Sequence, residues 1–308
     1  MSPKNKFRWP ALFAVLALVL TAGVFAGCGD DNDDSSTSTS SSGGELTATP
    51  DINVSVDQAI ADSLPADVKS SGELSIASDA TYPPMEFYAE GDQTTVIGAD
   101  ADISKALGQI MGLEANVQNV PFDSIIPGLA AGKYDLGISS FTDTKEREAT
   151  VDFVTYAQAG TSFYSSADAE VDVATLEDLC DHSVAVEKGT TQQEDAEAQA
   201  KKCDVDVQVL PDQNAANLAI SSGRAELGMA DSPVAAYIVE QSDGKFVLGE
   251  AYGVAPYGIA IPKDSGLQQP VLDAVTALSE DGTLQKIFDY WQLKDAAIET
   301  PQANGAIS

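Results

Sequence analysis

The 308-residue chain is short of positive charge, with 16 lysines and arginines against 48 aspartates and glutamates and a formal charge of −32. A surface of that sign repels nucleic acid and phosphate ligands, so no nucleic-acid partner is expected. Histidine is nearly absent: His182 is the one example, and the chain has three cysteines, Cys28, Cys180 and Cys203. One histidine without a second cysteine pair argues against a zinc site. No nucleophile accompanies His182, which reads as a solvated residue at the start of a strand rather than a catalytic base. Neither a metal nor a cofactor is expected.

What is present begins with an export signal. Lys4, Lys6 and Arg8 precede the apolar run "ALFAVLALVLTAGVFA" (11–26), and "FAGC" (25–28) puts small residues before a cysteine. The run is a little short for a spanning helix and lacks a basic flank after it. The ending resembles a bacterial lipoprotein signal, with cleavage of residues 1–27 and lipid on Cys28; Phe25 departs mildly from the usual Leu-Ala-Gly-Cys. Cleavage removes three bases and no acid, leaving 13 bases, 48 acids and a charge of −35. Residues 28–55 then read as a lipid-anchored tether. "GDDNDDSSTSTSSSGGELTATP" (29–50) has almost nothing apolar with which to build a core. Cys180 and Cys203 form an even remainder in an exported chain, which suggests a disulfide, with metal binding the weaker alternative.

From residue 56 helical and strand patterns alternate. "VDQAIADSLPADVKSSG" (56–72) suggests one short helix, and "ELSIAS", "EANVQNV" and "YDLGISS" (134–140) suggest strands separated by helices at 103–112 and 122–132. The alternation restarts near 176, with strands "SVAVE", "VDVQVL" and "AELGMA" between helices at 190–202, 214–223 and 232–241. Strand "YGIAIP" and two helices broken at Gly282 follow. Such alternation indicates parallel βαβ units, and the length suits two α/β lobes. Extended segments near 155–165 and 246–258 would make the crossings. Lobe 1 is then discontinuous, 56–159 and 254–308, and lobe 2 is 160–253.

One stretch resists a purely structural reading. In "ISSFTDTKERE" (138–148) Thr144 looks like a helix N-cap, which places Arg147 in the first turn. The helix dipole is positive there and disfavours a cation. An anion brought to that turn would remove the conflict. The bland alternative is a surface pair of Arg147 with Glu148 or Asp152. "GADADIS" puts Asp100 and Asp102 at a strand-to-helix turn, where both read as caps.

The ordered set "TYPPMEF" (81–87), "IGADADISKALGQIMG" (97–112), "FDSIIPGLAAGKYDLGISSFTDTKERE..VDF" (122–153), "GTTQQ" (189–193), "GRAELGMADSPVAAY" (223–237) and "YGIAIPK" (257–263) resembles the polar amino-acid-binding proteins of ABC importers. These are solute-binding proteins of family 3, of the lysine/arginine/ornithine-, histidine- and glutamine-binding type. The resemblance runs from about 72 to 295. It implies an α/β, two-lobed periplasmic-binding-protein fold of type II, with lobes joined by a two-strand hinge and closing on a free amino acid. It places Arg147 on the ligand α-carboxylate, where guanidinium offers two parallel bonds. Thr142 supplies a hydroxyl, Ser140 a backbone donor, and Thr191 a second-lobe amide at a helix start, which it also caps. Asp231 pairs with the α-ammonium, Tyr82 and Phe122 wall the side chain, and Asp79 lies near its far end. Glu86 receives no role.

The function implied is a lipid-anchored receptor on the outer face of the cytoplasmic membrane. It would capture a polar amino acid and deliver it to ABC permease subunits, touching the membrane only through its lipid and acting as a monomer. A basic ligand is favoured, arginine before lysine, with glutamine next and an acidic ligand last. A dehydratase-like enzyme on the same fold would need a tuned general acid, for which Glu86 and Asp79 are the sole candidates, so no catalytic residue is expected. A sensor docking to a separate receptor is the third class.

Overall fold

The computed structural model describes residues 49–307 apart from 170, 172 and 299. The expected signal, Cys28 and most of the tether lie outside the described residues. No helix among those described is long and apolar enough to cross a membrane.

The chain opens with α1 (Gln58–Ser63) and α2 (Ala66–Ser71) where one helix is expected. Pro65 forces the break, because the residue before proline is pushed out of the helical region and Leu64 is extended. Next come β1 (Glu73–Ser78), β2 (Thr81–Tyr82), β3 (Glu86–Tyr88), β4 (Val96–Ile97), α3 (Ala99–Met111), β5 (Glu114–Asn119), α4 (Phe122–Ala130), β6 (Leu136–Gly137), α5 (Lys145–Glu148) and β7 (Val151–Ser166). A 3-10 turn at Leu176–Leu179 leads into β8 (Ser183–Glu187), α6 (Thr191–Ala200), β9 (Asp206–Leu210), α7 (Gln213–Ser221), β10 (Leu227–Asp231), α8 (Ser232–Glu240), β11 (Phe246–Pro262), α9 (Gln268–Glu280) and α10 (Thr283–Tyr290).

Eight strands make one sheet in the order β5-β1-β6-β11-β7-β10-β8-β9. Each end is parallel: β5, β1 and β6 form one half, and β10, β8 and β9 the other. The long antiparallel pair β7–β11 runs through both halves. Val151–Ala157 lies against Tyr257–Pro262 beside β6, and Thr161–Ser166 lies between β10 and the start of β11. Register shifts at Tyr252/Ala255 and Tyr257/Gly258 mark the passage from one half to the other. Strand β6 is much shorter than the expected 134–140; the Ile138 amide still bonds the Ala77 carbonyl, and by Ser140 the backbone has turned away at a positive φ of 49°. The three-stranded sheet β2-β3-β4 was not foreseen.

Asp100 and Asp102 are corrected here. The N-cap of α3 is Gly98, with no side-chain cap bond, and both aspartates are buried in the first turn. Asp100 accepts from Tyr156 Oη at 2.7 Å and from the Ser140 amide at 2.7 Å, and Asp102 accepts from Trp291 Nε1 at 2.7 Å. They anchor tertiary structure instead of the helix end. Gly98 makes this possible: at φ +124° its missing Cβ would stand 2.2 Å from the Met85 carbonyl. That close approach sets α3 against β3 and brings Asp100 beside Glu86.

The disulfide between Cys180 and Cys203 is formed. It ties the end of the 3-10 turn to the end of α6, and Gln199 Nε2 donates toward both sulfurs.

Candidate functional site

The parallel halves direct their strand ends at a common cleft, as expected for open α/β sheets. Its walls close on a space of about 10 Å³, roughly room for one water, so the cleft stands nearly shut. All eight ligand-binding residues expected from the sequence line it: Asp79, Tyr82, Phe122, Ser140, Thr142, Arg147, Thr191 and Asp231. Five more complete the wall: Glu86, Ser139, Glu187, Thr190 and Gln192.

Arg147 sits where the dipole argument placed it. Thr144 caps α5, accepting from the Arg147 amide at 3.2 Å. Arg147 is 9% exposed, and its guanidinium carbon lies 5.6 and 5.5 Å from the ring centres of Phe122 and Phe141. It donates to the Thr142 and Gly189 carbonyls, both at 2.9 Å. No carboxylate forms an ion pair with it among the described residues, so the surface pairing with Glu148 or Asp152 is not seen. Lys145 holds Glu148, and Lys263 holds Asp152. Burial lowers the Arg147 pKa, opposed first by the charge of Glu194 and then by that of Asp231.

Asp231 closes β10 and is 6% exposed. Although it precedes α8 it makes no capping bond. Its Oδ1 accepts from Gln192 Nε2 at 2.8 Å, and its amide donates to Tyr82 Oη at 2.9 Å across the cleft. Burial pushes its carboxyl up to about 6, with the Gln192 bond and the Arg147 charge pulling the other way.

Two expectations change at the site. Thr190, not Thr191, caps α6, accepting from the Gln193 amide at 3.2 Å. Thr191 is the first helical residue, so its amide is among those without an intrahelical partner. The Ser140 amide is already given to Asp100, and its hydroxyl lies 3.4 Å from Glu86 and 3.3 Å from Asp100. The positive φ at Ser140 turns that amide inward, so it is not a spare donor.

Glu86, left without a role by the sequence, is fully buried and accepts from Ser139 Oγ at 2.8 Å. Burial and then the charge of Asp100 raise it well above the usual carboxyl range, which favours its protonated form. Glu187 ends β8 and is 3% exposed, and its Oε1 has no hydrogen-bond partner among the described residues. Gln192 stands in "GTTQQ" without having been assigned a part; through Asp231 and Thr161 Oγ1 it fixes the cleft floor. Among the described residues no cluster of histidine, cysteine and acid could hold a metal.

The model for bacterial extracellular solute-binding proteins, family 3, matches residues 74–294. The chain belongs to that family. Within it, the chain is similar to the arginine-binding protein ArgT of Corynebacterium glutamicum, 31% identical over 263 residues, which cover 83% of each chain. Among solved structures it is similar to an ancestral arginine-binding protein bound to arginine, with a TM-score of 0.67 and 31% identity over 71% of this chain and 98% of that one. It also resembles the ancestral amino acid-binding protein AncCDT-1, a precursor of cyclohexadienyl dehydratase, with a TM-score of 0.67 and 32% identity over 73% and 97% of the two chains. The two-lobed type II fold with a two-strand connection, β7 and β11, is that of these family members.

The family member's buried acids set its pH response. Asp231 and Asp102 rise to about 6 and Asp143 to about 7, in each case chiefly through burial. A carboxyl whose folded pKa exceeds its unfolded value keeps its proton longer in the folded state. The folded form then binds more protons, and stability falls as pH rises through that interval. Carboxyls pulled down instead, such as Asp178, lie on the surface. The melting temperature of ligand-free protein is therefore expected to drop by roughly 5 °C between about pH 5 and about pH 8. A flat or rising melting temperature would show that these acids titrate normally.

Proposed function

We propose that the protein is an extracytoplasmic receptor for a basic amino acid, arginine before lysine, and delivers it to an ABC transporter permease. The observation that carries this reading is the division of charge in the cleft. Arg147 and Asp231 act on each other through their charges and suit the α-carboxylate and α-ammonium, while Asp79 and Glu187 act on each other as like charges with no cation paired to either among the described residues. Thr142 and the first-turn amide of Thr191 add donors for the α-carboxylate. Tyr82 and Phe122 flank the side chain. Neutral glutamine would leave Asp79 and Glu187 without a compensating charge. The arginine-binding relatives support the same ligand.

The half of the sheet holding β1, β5 and β6 corresponds to lobe 1, residues 56–159 and 254–308, and the other half to lobe 2, residues 160–253. Residues 1–27 act as the signal, Cys28 carries lipid, and the stretch before Ile52 holds the monomer at the outer face of the cytoplasmic membrane. The tether expected to reach residue 55 is shorter, because Ile52 is buried in the core and Ile52 and Val54 bond to Gln109 of α3. Contacts across the cleft support closure on the ligand: Arg147 to Gly189, Asp231 to Tyr82, and Lys188 Nζ to Asp123 at 2.7 Å. Ligand binding then shifts the population toward the closed form that a permease recognises. We assign no catalysis, since Asp79 is held by Thr81 and the Phe122 amide, and Glu86 is buried under Ser139.

A thermal-shift screen of the twenty amino acids with ornithine and citrulline tests the reading. A ligand at 100 times its dissociation constant stabilises by ~2.7 kcal/mol, and arginine is expected to give the largest shift. Asp79→Asn should then reduce arginine binding far more than glutamine binding, by about tenfold or more in calorimetry. Equal small changes for both ligands, or a wild-type preference for glutamate, would overturn the basic assignment.

A further inference from the structure

We propose that Glu187 is a second-lobe specificity residue that receives the distal cation of the ligand, so that the cleft selects side-chain charge with one acid from each half of the sheet. The inference deepens the basic-amino-acid reading and rests on it.

Two further carboxylates line the cleft and act on each other, and they are in different condition. Asp79, after β1, has both oxygens engaged: Oδ1 accepts from Thr81 Oγ1 at 2.7 Å and Oδ2 from the Phe122 amide at 2.8 Å. It is a fixed acid, locked into the first half of the sheet. Glu187, at the end of β8 in the second half, lines the same cavity with an Oε1 that has no partner. An unpartnered buried carboxyl is costly and calls for an explanation; of the two such carboxyls among the described residues, Asp143 lies outside the cleft and Glu187 lines it.

The nearby cations are engaged elsewhere. Lys188, the next residue, reaches across to Asp123 Oδ2, and Arg147 donates to two carbonyls. The charged and titratable groups bearing on Glu187 are nearly all acidic or phenolic. Asp79 acts on it most, followed by Asp212 at the start of α7, Asp231, and Asp123 on α4. Tyr82 and Tyr164 feel its charge in turn. Burial and these like charges hold its carboxyl well above the ordinary range. A guanidinium or ammonium placed between Asp79 and Glu187 would reverse that balance and join the two halves. A neutral side chain would leave Glu187 protonated and the halves unlinked.

Titration of arginine and of citrulline, its neutral near-isostere, into wild-type protein and Glu187→Gln tests this by calorimetry. The substitution is expected to weaken arginine binding by about 30-fold or more, with citrulline affinity held within roughly threefold. In wild-type protein, arginine should release more protons than citrulline when heats are compared in buffers of different ionisation enthalpy, and Glu187→Gln should remove most of the excess. This wild-type comparison stands even if the variant folds poorly. Arginine bound by both proteins within roughly threefold, or no excess proton release, would overturn the role of Glu187 and leave the receptor reading intact. Failure of wild-type protein to bind any basic amino acid would overturn both.

Discussion

Arg147→Lys is expected to weaken binding of arginine by ~2–5 kcal/mol, the usual loss when a buried charge pair is disrupted at a recognition site. One positive charge survives the change, so the loss reports geometry. The guanidinium lies against the stacked Phe122–Phe141 pair and is aimed by the Thr142 and Gly189 carbonyls. Its plane is fixed before any ligand arrives, and two parallel N–H groups can meet a carboxylate. An ammonium has no plane to fix and no fork to present, and it carries its charge at a single point. It would also leave one carbonyl without a donor. The fold should persist, because α5 remains capped by Thr144 and neither ring is removed. Calorimetry on the variant, with melting as a folding control, decides the matter. A change below about tenfold, or ~1.4 kcal/mol, would mean that Arg147 does not grip the carboxylate.

Replacing both Cys180 and Cys203 with serine should lower stability by ~3 kcal/mol through the restored freedom of the unfolded chain. The bond closes a separation of 23 residues spanning β8 and α6, the unit that carries Glu187, Thr190, Thr191 and Gln192. For a domain of this size the melting temperature should fall by roughly 6–12 °C. Arginine affinity should change little, because neither sulfur lines the cleft. Two free thiols in denatured, non-reduced protein, or an unchanged melting temperature in the variant, would contradict the expectation.

Much of the site was legible because its residues break local rules. A base in a helix N-terminal turn contradicts the dipole, and only a ligand or a tertiary partner resolves the conflict. Asp231 and Asp79 stand at the ends of apolar strands, where a charge marks the exit to a cleft. Glu187 stands there too, at the end of "SVAVE", but it was assigned no part from the sequence alone. The fold turned Glu187 and Lys188 to different duties, and sequence spacing does not encode that. Asp100 and Asp102 misled for the opposite reason: a D-x-D before a helix has the local form of a cap. Their true partners, Ser140, Tyr156 and Trp291, lie 40, 56 and 189 residues away. Strand β6 also fell short of 134–140, and the left-handed turn at Ser140 beyond it depends on those distant contacts. The extended segments expected near 155–165 and 246–258 are strands β7 and β11, and their pairing joins "FVLGEAYGVAP" to "YGIAIP" in one ladder despite its glycines and proline.

The first and last described stretches of the chain are attached to the same half of the sheet. Near the start, the Asp57 amide donates to Ile110 in α3, and Gln109 Nε2 donates to the Ile52 carbonyl. Near the end, Gln302 and Asn304 bond to Thr155 and Phe153 of β7, and the Gly305 amide donates to Asp143 just before α5. A force applied through either stretch therefore enters the half that holds β1, β5 and β6. The half with β8, β9 and β10 is covalently joined only through β7 and β11, so it lies outside the line of pull. Tension on the first or last described stretch would therefore be borne by one half of the sheet and leave the other unloaded.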